Sequence, residues 1–185
     1  MLRSMPAINA ATGLPMTAMK LIYLSLGSNV GDRAAHLARA LDALAAAGVH
    51  PLRQSSIYLT EPVGGIDQRP FLNCALAAET ALMPLQLLRH LQQIEWALGR
   101  RRRVSMGPRP IDIDILFYGT SIIRAPELVI PHPRLAERRF VLVPLNEIAP
   151  ELRHPVLQRS IAELLAATAD HSLVRRWRPE PGVPG

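Results

Sequence analysis

Apolar residues along this chain follow two periods. The run Leu21-Ile22-Tyr23-Leu24-Ser25-Leu26, closed by Gly27-Ser28-Asn29 and Gly31, predicts a strand over 21–26. From Asp32 onward the spacing changes to i, i+4, i+7 at Leu37, Leu41 and Leu44. That predicts a helix through Ala47, with Asp32 as its N-cap and Gly48 as its stop. A second strand is expected from Val49 to Thr60, and a third from Phe71 to Ala81, across the Pro- and Gly-rich stretch 61–70. Pro84 opens a helix that puts Leu87, Leu91, Ile94 and Leu98 on one face and ends at Gly99. An arginine-rich loop, 100–110, leads into a fourth strand from Ile111 to Tyr118.

This β-α-β-β-α-β order is that of the ferredoxin-like α+β sandwich, in which two helices lie on one face of an antiparallel sheet. A C-terminal extension follows: the segment Ile122 to Ile130, a Pro131-His132-Pro133 turn, a helix over Phe140–Ile148 and a last helix near Ser160–Ala167. Residues 1–18 show no periodicity and are expected to be disordered, as is the tail 179–185. One domain over 19–178 remains.

Composition narrows the function. The chain has 185 residues, 49% hydrophobic and 19% charged, which fits one globular domain. No apolar run approaches the ~18 residues of a membrane span, so no membrane partner is expected. Cys74 is the only cysteine, which excludes an intrachain disulfide and fits a cytoplasmic protein. The net charge of +6 is almost wholly arginine, since Lys20 is the sole lysine among 21 basic residues. Arginine favours bidentate phosphate recognition. A P-loop is excluded, because that motif needs a lysine after a glycine-rich turn and Lys20 follows Ala18-Met19.

Candidate chemistry converges on the fourth strand. Asp112 and Asp114 are two apart, so both point to one face, roughly 6.5–7 Å apart. Two carboxylates in an apolar strand repel each other and resist desolvation, and a hard cation removes both costs. Mg²⁺ suits the pair, taking one or two carboxylates with phosphate oxygens. Arg100 to Arg103 precede them, and Gly107-Pro108-Arg109-Pro110 leads directly in, so cations and carboxylates meet at one sheet edge. A nucleoside triphosphate with its metal needs that layout. On the third strand Phe71 and Asn73 share a face, where a ring and an amide can hold a flat heterocycle or serve ordinary packing. His132, between two prolines, sits in a turn, and the six histidines show no zinc spacing.

In these residues the chain resembles the 6-hydroxymethyl-7,8-dihydropterin pyrophosphokinases. The matching stretches are Leu24 to Asn29, Thr60 to Gly64, Phe71-Leu72-Asn73, Gly107-Pro108-Arg109 with Ile111 to Leu116, Ile130 to Arg134, Phe140 to Leu145, and Glu147 to Glu151. The resemblance implies a ferredoxin-like core and transfer of diphosphate from ATP to a reduced pterin in folate synthesis, by a monomer. It assigns Asp112 and Asp114 to two Mg²⁺ ions, and Arg100 and Arg109 to catalysis. It sets the pterin between Phe71 and Phe140, with Asn73 and the backbone of Thr60, Pro62 and Val63 at its edge. Arg100, Arg102, Arg109, His132 and Arg138 are expected around the triphosphate, and Glu95, Ile115, Leu128 and Val129 near the nucleoside. The loops 61–70 and 100–110 are expected to close as lids.

The family's arginine loop commonly ends Arg-Trp-Gly-Pro-Arg, and here Ser105 and Met106 replace the first two residues. A paralogue acting on another pterin-like acceptor is therefore an alternative. A basic nucleic-acid-binding module of the same fold is a remoter one. It would need exposed aromatics on the sheet to stack bases; Phe71 is the only aromatic on the third strand, and the fourth carries two carboxylates that would repel phosphate.

Overall fold

The computed structural model describes residues 18–62, 68–100 and 108–179. The elements in order are β1 Lys20–Ser28, α1 Arg33–Ala46, β2 Val49–Gln54, β3 Tyr58–Thr60, β4 Phe71–Thr80, α2 Pro84–Ala97 and β5 Asp112–Tyr118. There follow β6 Ile123–Arg124, β7 Val129–Ile130, α3 Arg139–Ile148, α4 Ile161–Ala167 and β8 Val174–Arg176. Local chemistry sets the ends of α1: Asp32 accepts from the Ala35 N–H at 2.9 Å, and Gly48 takes the positive φ of 80° that closes the helix.

The main sheet runs β5-β1-β4-β3-β8, with β2 also paired to β4. Every pair in it is antiparallel, which is the ferredoxin-like arrangement. The single strand expected over 49–60 is two strands. Ser55 breaks it, because its N–H donates to Ala75 O while its hydroxyl accepts from Ala75 N–H, both at 2.9 Å. Earlier in β2 the register shifts between Pro51 and Arg53, as expected where proline lacks a ladder donor.

Alternation on the sheet builds two cores. Ile22, Leu24 and Leu26 of β1, Leu72, Cys74 and Leu76 of β4, and Ile113 and Ile115 of β5 pack on Leu37 and Leu44 of α1 and Leu87 and Leu91 of α2. Ala75, Ala77 and Phe117 lie with Val141, Leu142 and Leu145 of α3 and Ile161 and Leu164 of α4. The C-terminal extension is thus a third layer on the opposite face, which the element order alone did not indicate. Strand β8, also unexpected from the sequence, extends the sheet beside β3.

Glu147 of α3 ties these parts together. Its carboxylate accepts from Ser56 N–H (2.9 Å), Ser56 Oγ (2.9 Å), Tyr58 Oη (3.0 Å) and Arg176 Nη2 (3.0 Å). Glu147→Ala leaves those donors without an acceptor and should cost about 2–3 kcal/mol, read as a lower urea midpoint at unchanged slope.

Candidate active site

At one end of the sheet, the face that α3 covers elsewhere carries a polar row. Gly27 of β1 is paired with Asp112 of β5 on one side and with Asn73 of β4 on the other. Neighbouring strands lie about 4.8 Å apart, so Asp112 and Asn73 are separated by about 10 Å across Gly27. In the next row but one along the strands, Ser25 pairs with Asp114 and Ala75. Close approach explains the glycine. A Cβ there would stand 2.4 Å from Asn73 Oδ1 and 3.7 Å from Phe71 Cδ1. Asn73 in turn donates from Nδ2 to Thr60 Oγ1 at 2.7 Å, and both residues are buried. Phe71, Asn73 and Thr60 therefore stand together at one end of the sheet, with Pro62 two residues beyond Thr60.

Asp112 is held by two guanidinium groups, Arg100 Nη1 at 2.8 Å from Oδ1 and Arg109 Nη1 at 2.9 Å from Oδ2. Arg100 also contacts the Glu95 carboxylate. Glu95 is buried and accepts from the Ile113 N–H at 2.7 Å. Burial nonetheless pushes its pKa up to about 7, against the pull of that N–H and of Arg100. Asp114 makes no hydrogen bond among the described residues. Burial and then the charge of Asp112 raise its pKa to about 6, while Arg138, Arg100 and Arg109 pull the other way. The three guanidinium groups offset burial and the Asp112 charge only in part, a balance that a divalent cation would shift toward the ionised form. No group of three or more His, Cys, Asp or Glu side chains is arranged for a metal among the described residues. Two carboxylates on one strand face are the donor set compatible with Mg²⁺, which can take its remaining positions from phosphate and water oxygens.

His132 is anchored by its N–H to Leu116 O at 3.1 Å, and its Nδ1 accepts from the Arg134 N–H at 3.2 Å. Its proton is then on Nε2. Burial, with Arg138 and Arg134, holds its pKa down at about 4, so the ring is a neutral donor. The Arg138 guanidinium lies 5.6 Å from the Phe140 ring centroid. Nε of Arg109 and of Arg138 are buried N–H groups without a partner among the described residues.

Not every expected contact is brought together. A cavity of about 780 Å³ beside α2 is bordered by Leu88, Gln92, Glu95, Trp96, Arg100, Asp112 and Asp114 among others. Ile115 and Leu128 are buried in the core facing α1 and α2, and Val129 is exposed; none of the three borders that cavity. Val63, Arg102, Ser105 and Met106 lie outside the described residues, as do 1–17 and 180–185.

One residue escaped the sequence reading. Asn29, buried at the end of β1, accepts from the Arg109 N–H at Oδ1 (2.8 Å) and donates its own N–H to Arg109 O (3.2 Å). Its Nδ2 donates to Gln68 Oε1 at 3.1 Å. Asn29 thus fixes the arginine that fixes Asp112. Its place in Gly27-Ser28-Asn29 read as a turn at the end of a family-matching stretch, with no contact assigned to its side chain. Gln92 and Trp96, one helical turn apart and flanking Glu95 on α2, were also missed, though a polar and an aromatic residue beside a buried acid were visible signals.

A ferredoxin-like sheet presenting paired carboxylates, guanidinium groups and a ring-and-amide edge defines a protein built for a phosphorylated ligand and a flat heterocycle. The model of the 7,8-dihydro-6-hydroxymethylpterin-pyrophosphokinase family matches residues 23–150, and the chain belongs to that family. It is 43% identical over 164 residues to a 2-amino-4-hydroxy-6-hydroxymethyldihydropteridine pyrophosphokinase of Bacillus subtilis, covering 88% of this chain and 93% of that one. It is 50% identical over 135 residues to the protein of the same name from Methylorubrum extorquens, covering 72% and 85%. It also matches a folic acid synthesis protein of Pneumocystis carinii at 43% identity over 82% of this chain, but spans 20% of that longer protein's length. Among solved structures, a triple mutant of the Plasmodium falciparum HPPK-DHPS protein superposes with a TM-score of 0.66 at 19% identity, over 82% of this chain and 44% of that one. This last likeness shows the fold.

The Asp114 environment sets a pH dependence for the protein without ligands. An acid whose folded pKa is raised destabilises the folded state progressively as pH climbs from its ordinary value of 3.8 to about 6, and the whole penalty is present above that. Asp114→Asn should therefore raise Tm by about 2–4 °C near pH 8 and by much less near pH 4.5, measured without divalent cation.

Proposed function

We propose that this chain transfers the diphosphate group of ATP to the hydroxymethyl group of 6-hydroxymethyl-7,8-dihydropterin, giving AMP and the pterin diphosphate. The observation that supports this most is the row Asp112–Gly27–Asn73. It sets a cation-binding carboxylate about 10 Å from a heterocycle-binding amide with no side chain between them. A hydroxymethyl group on the heterocycle then extends toward the phosphates.

The pterin lies against Phe71, with Phe140 as the second ring, and the amide of Asn73 meets its edge. Thr60 Oγ1 fixes that amide by accepting from Nδ2, which leaves Oδ1 to accept from a pterin N–H. The hydroxymethyl oxygen attacks the β-phosphorus, the bond to the α,β-bridging oxygen breaks, and the hydroxyl proton leaves to solvent or phosphate. Asp112 and Asp114 would hold two Mg²⁺ ions, which supply charge neutralisation on the phosphate oxygens. Arg109, Arg138 and the neutral His132 donate to those oxygens, and the two partnerless Nε–H groups gain acceptors when the anion arrives. Arg100 joins Asp112 to Glu95 and lines the cavity beside α2, where Gln92 and Trp96 offer an amide and a ring to the nucleoside. No covalent intermediate is required, since positioning and charge neutralisation suffice.

The deciding assay follows AMP formation from ATP with and without the hydroxymethyl-dihydropterin and Mg²⁺. AMP should appear only when all three are present; AMP formation independent of the pterin would refute the proposal. Asp112→Ala and Asp114→Ala should each lower kcat by about 10²–10³ or more with the fold intact by circular dichroism. Gly27→Ala acts elsewhere: its Cβ displaces Asn73, so KM for the pterin should rise about tenfold while KM for ATP stays within about twofold.

A further inference from the structure

The segment after α4 crosses between two walls of the proposed pterin site and bonds to both. On one side, α3 begins without a side-chain cap from its own N-cap residue, Arg138. Asp170 supplies the acceptor from 31 residues downstream: its Oδ2 takes the Arg139 N–H at 2.7 Å. A carboxylate there also complements the positive end of the helix. Arg139 lies between Arg138, whose guanidinium covers the Phe140 ring, and Phe140 itself. On the other side, Leu173 pairs with Glu61, the residue that follows β3. The Leu173 N–H donates to Glu61 Oε2 at 3.0 Å, and the Glu61 N–H donates to Leu173 O at 3.3 Å.

Between these attachments lie only Asp170 to Leu173. Three residue steps span at most about 10 Å, and Asp170 Oδ1 tightens them further by accepting the Ser172 N–H at 2.9 Å. Beyond Leu173 the chain is locked into β8, with Val174 opposite Thr60 and Arg176 bound to Glu147. The wall that carries Phe140 and the edge that carries Thr60 and Pro62 therefore cannot separate by more than this short segment allows.

We propose that residues 170–173 form a strap that fixes the width of the pterin slot, with Asp170 and Glu61 as its two positioning residues. The inference rests on the function proposed above. Neither residue touches the substrates; each acts by holding a wall that does. Widening the slot weakens ring stacking and edge recognition together. Of the triphosphate donors, Arg109 and His132 stand on other segments, while Arg138 adjoins Arg139, so the Glu61 end of the strap is the one that separates pterin from ATP binding.

The test compares three variants by steady-state kinetics well below their Tm. Asp170→Ala frees the α3 end, Glu61→Ala frees the β3 end, and Ser160→Ala removes an unrelated cap. Ser160 Oγ accepts from the Glu163 N–H of α4 at 3.1 Å, far along the chain from either wall, and its loss lowers stability in its own right. Asp170→Ala and Glu61→Ala should each raise KM for the pterin at least about fivefold, with Glu61→Ala leaving KM for ATP within about twofold. Asp170→Asn, which keeps one acceptor oxygen, should recover part of the loss. Ser160→Ala should leave both KM values at the wild-type level. If one strap variant fails to fold, the other decides alone. An unchanged pterin KM in the folded strap variants, or an equal rise in Ser160→Ala, overturns the strap. A wild-type chain that makes no AMP from ATP and the pterin overturns the proposed function itself, a distinguishable outcome.

Discussion

A methyl group at position 27 would stand 2.4 Å from the side-chain oxygen of Asn73, and the rest of the site depends on its absence. Backbone pairing puts β1 between β4 and β5, so any side chain at position 27 would project between Asn73 and Asp112. With none there, the face stays open between Asn73 and Asp112, as the proposed function requires. The apolar layer beneath keeps that face rigid: Leu24 and Leu26 on β1, Leu72 and Cys74 on β4, and Ile113 and Ile115 on β5 are all buried against α1 and α2. Alternation then sends Asp112, Asp114, Asn73 and Phe71 to the other side.

The electrostatics of that face are deliberately unfinished. Asp112 is satisfied by Arg100 and Arg109, whereas among the described residues Asp114 accepts no hydrogen bond and two buried arginine N–H groups have no acceptor. Buried groups left in this state cost free energy in the empty protein, and a cation with an anionic ligand offsets it. Glu95 belongs to the same arrangement. It accepts from the backbone of Ile113 and from Arg100, so it holds the strand between the two aspartates and the arginine in one frame. The stability of the fold and the affinity of the site thus oppose each other at Asp114.

Much of this was legible in the residues, and the limits have physical causes. Period and capping gave α1, α2 and the four core strands, because Asp32, Gly48 and Gly99 mark ends by local chemistry. The pairing of Asp112 with Asp114 followed from the two-residue repeat of a strand. The break at Ser55 was not visible, since a serine whose hydroxyl replaces a ladder acceptor looks like any strand serine. Nor was β8, whose three residues are held by β3 and by the distant Glu147. Asn29 and Asp170 escaped for the same reason: each bonds a backbone N–H far away in sequence, Arg109 for one and Arg139 for the other. Ile115 and Leu128 were expected near the nucleoside, and their side chains are buried among the core residues under α1 and α2, which leaves only their backbone to face a ligand.

The proposed function makes Asp114 a ligand of the nucleotide's metal, and burial beside Asp112 raises its pKa in the empty site, so metal-bound nucleotide should drive a proton off it. Calorimetry of Mg²⁺·ATP binding near pH 6, repeated in buffers of different ionisation heat, reads the protons released. The account predicts that the wild-type chain releases about half a proton more than Asp114→Asn, the difference shrinking near pH 8. Equal release by the two proteins at pH 6 would contradict it.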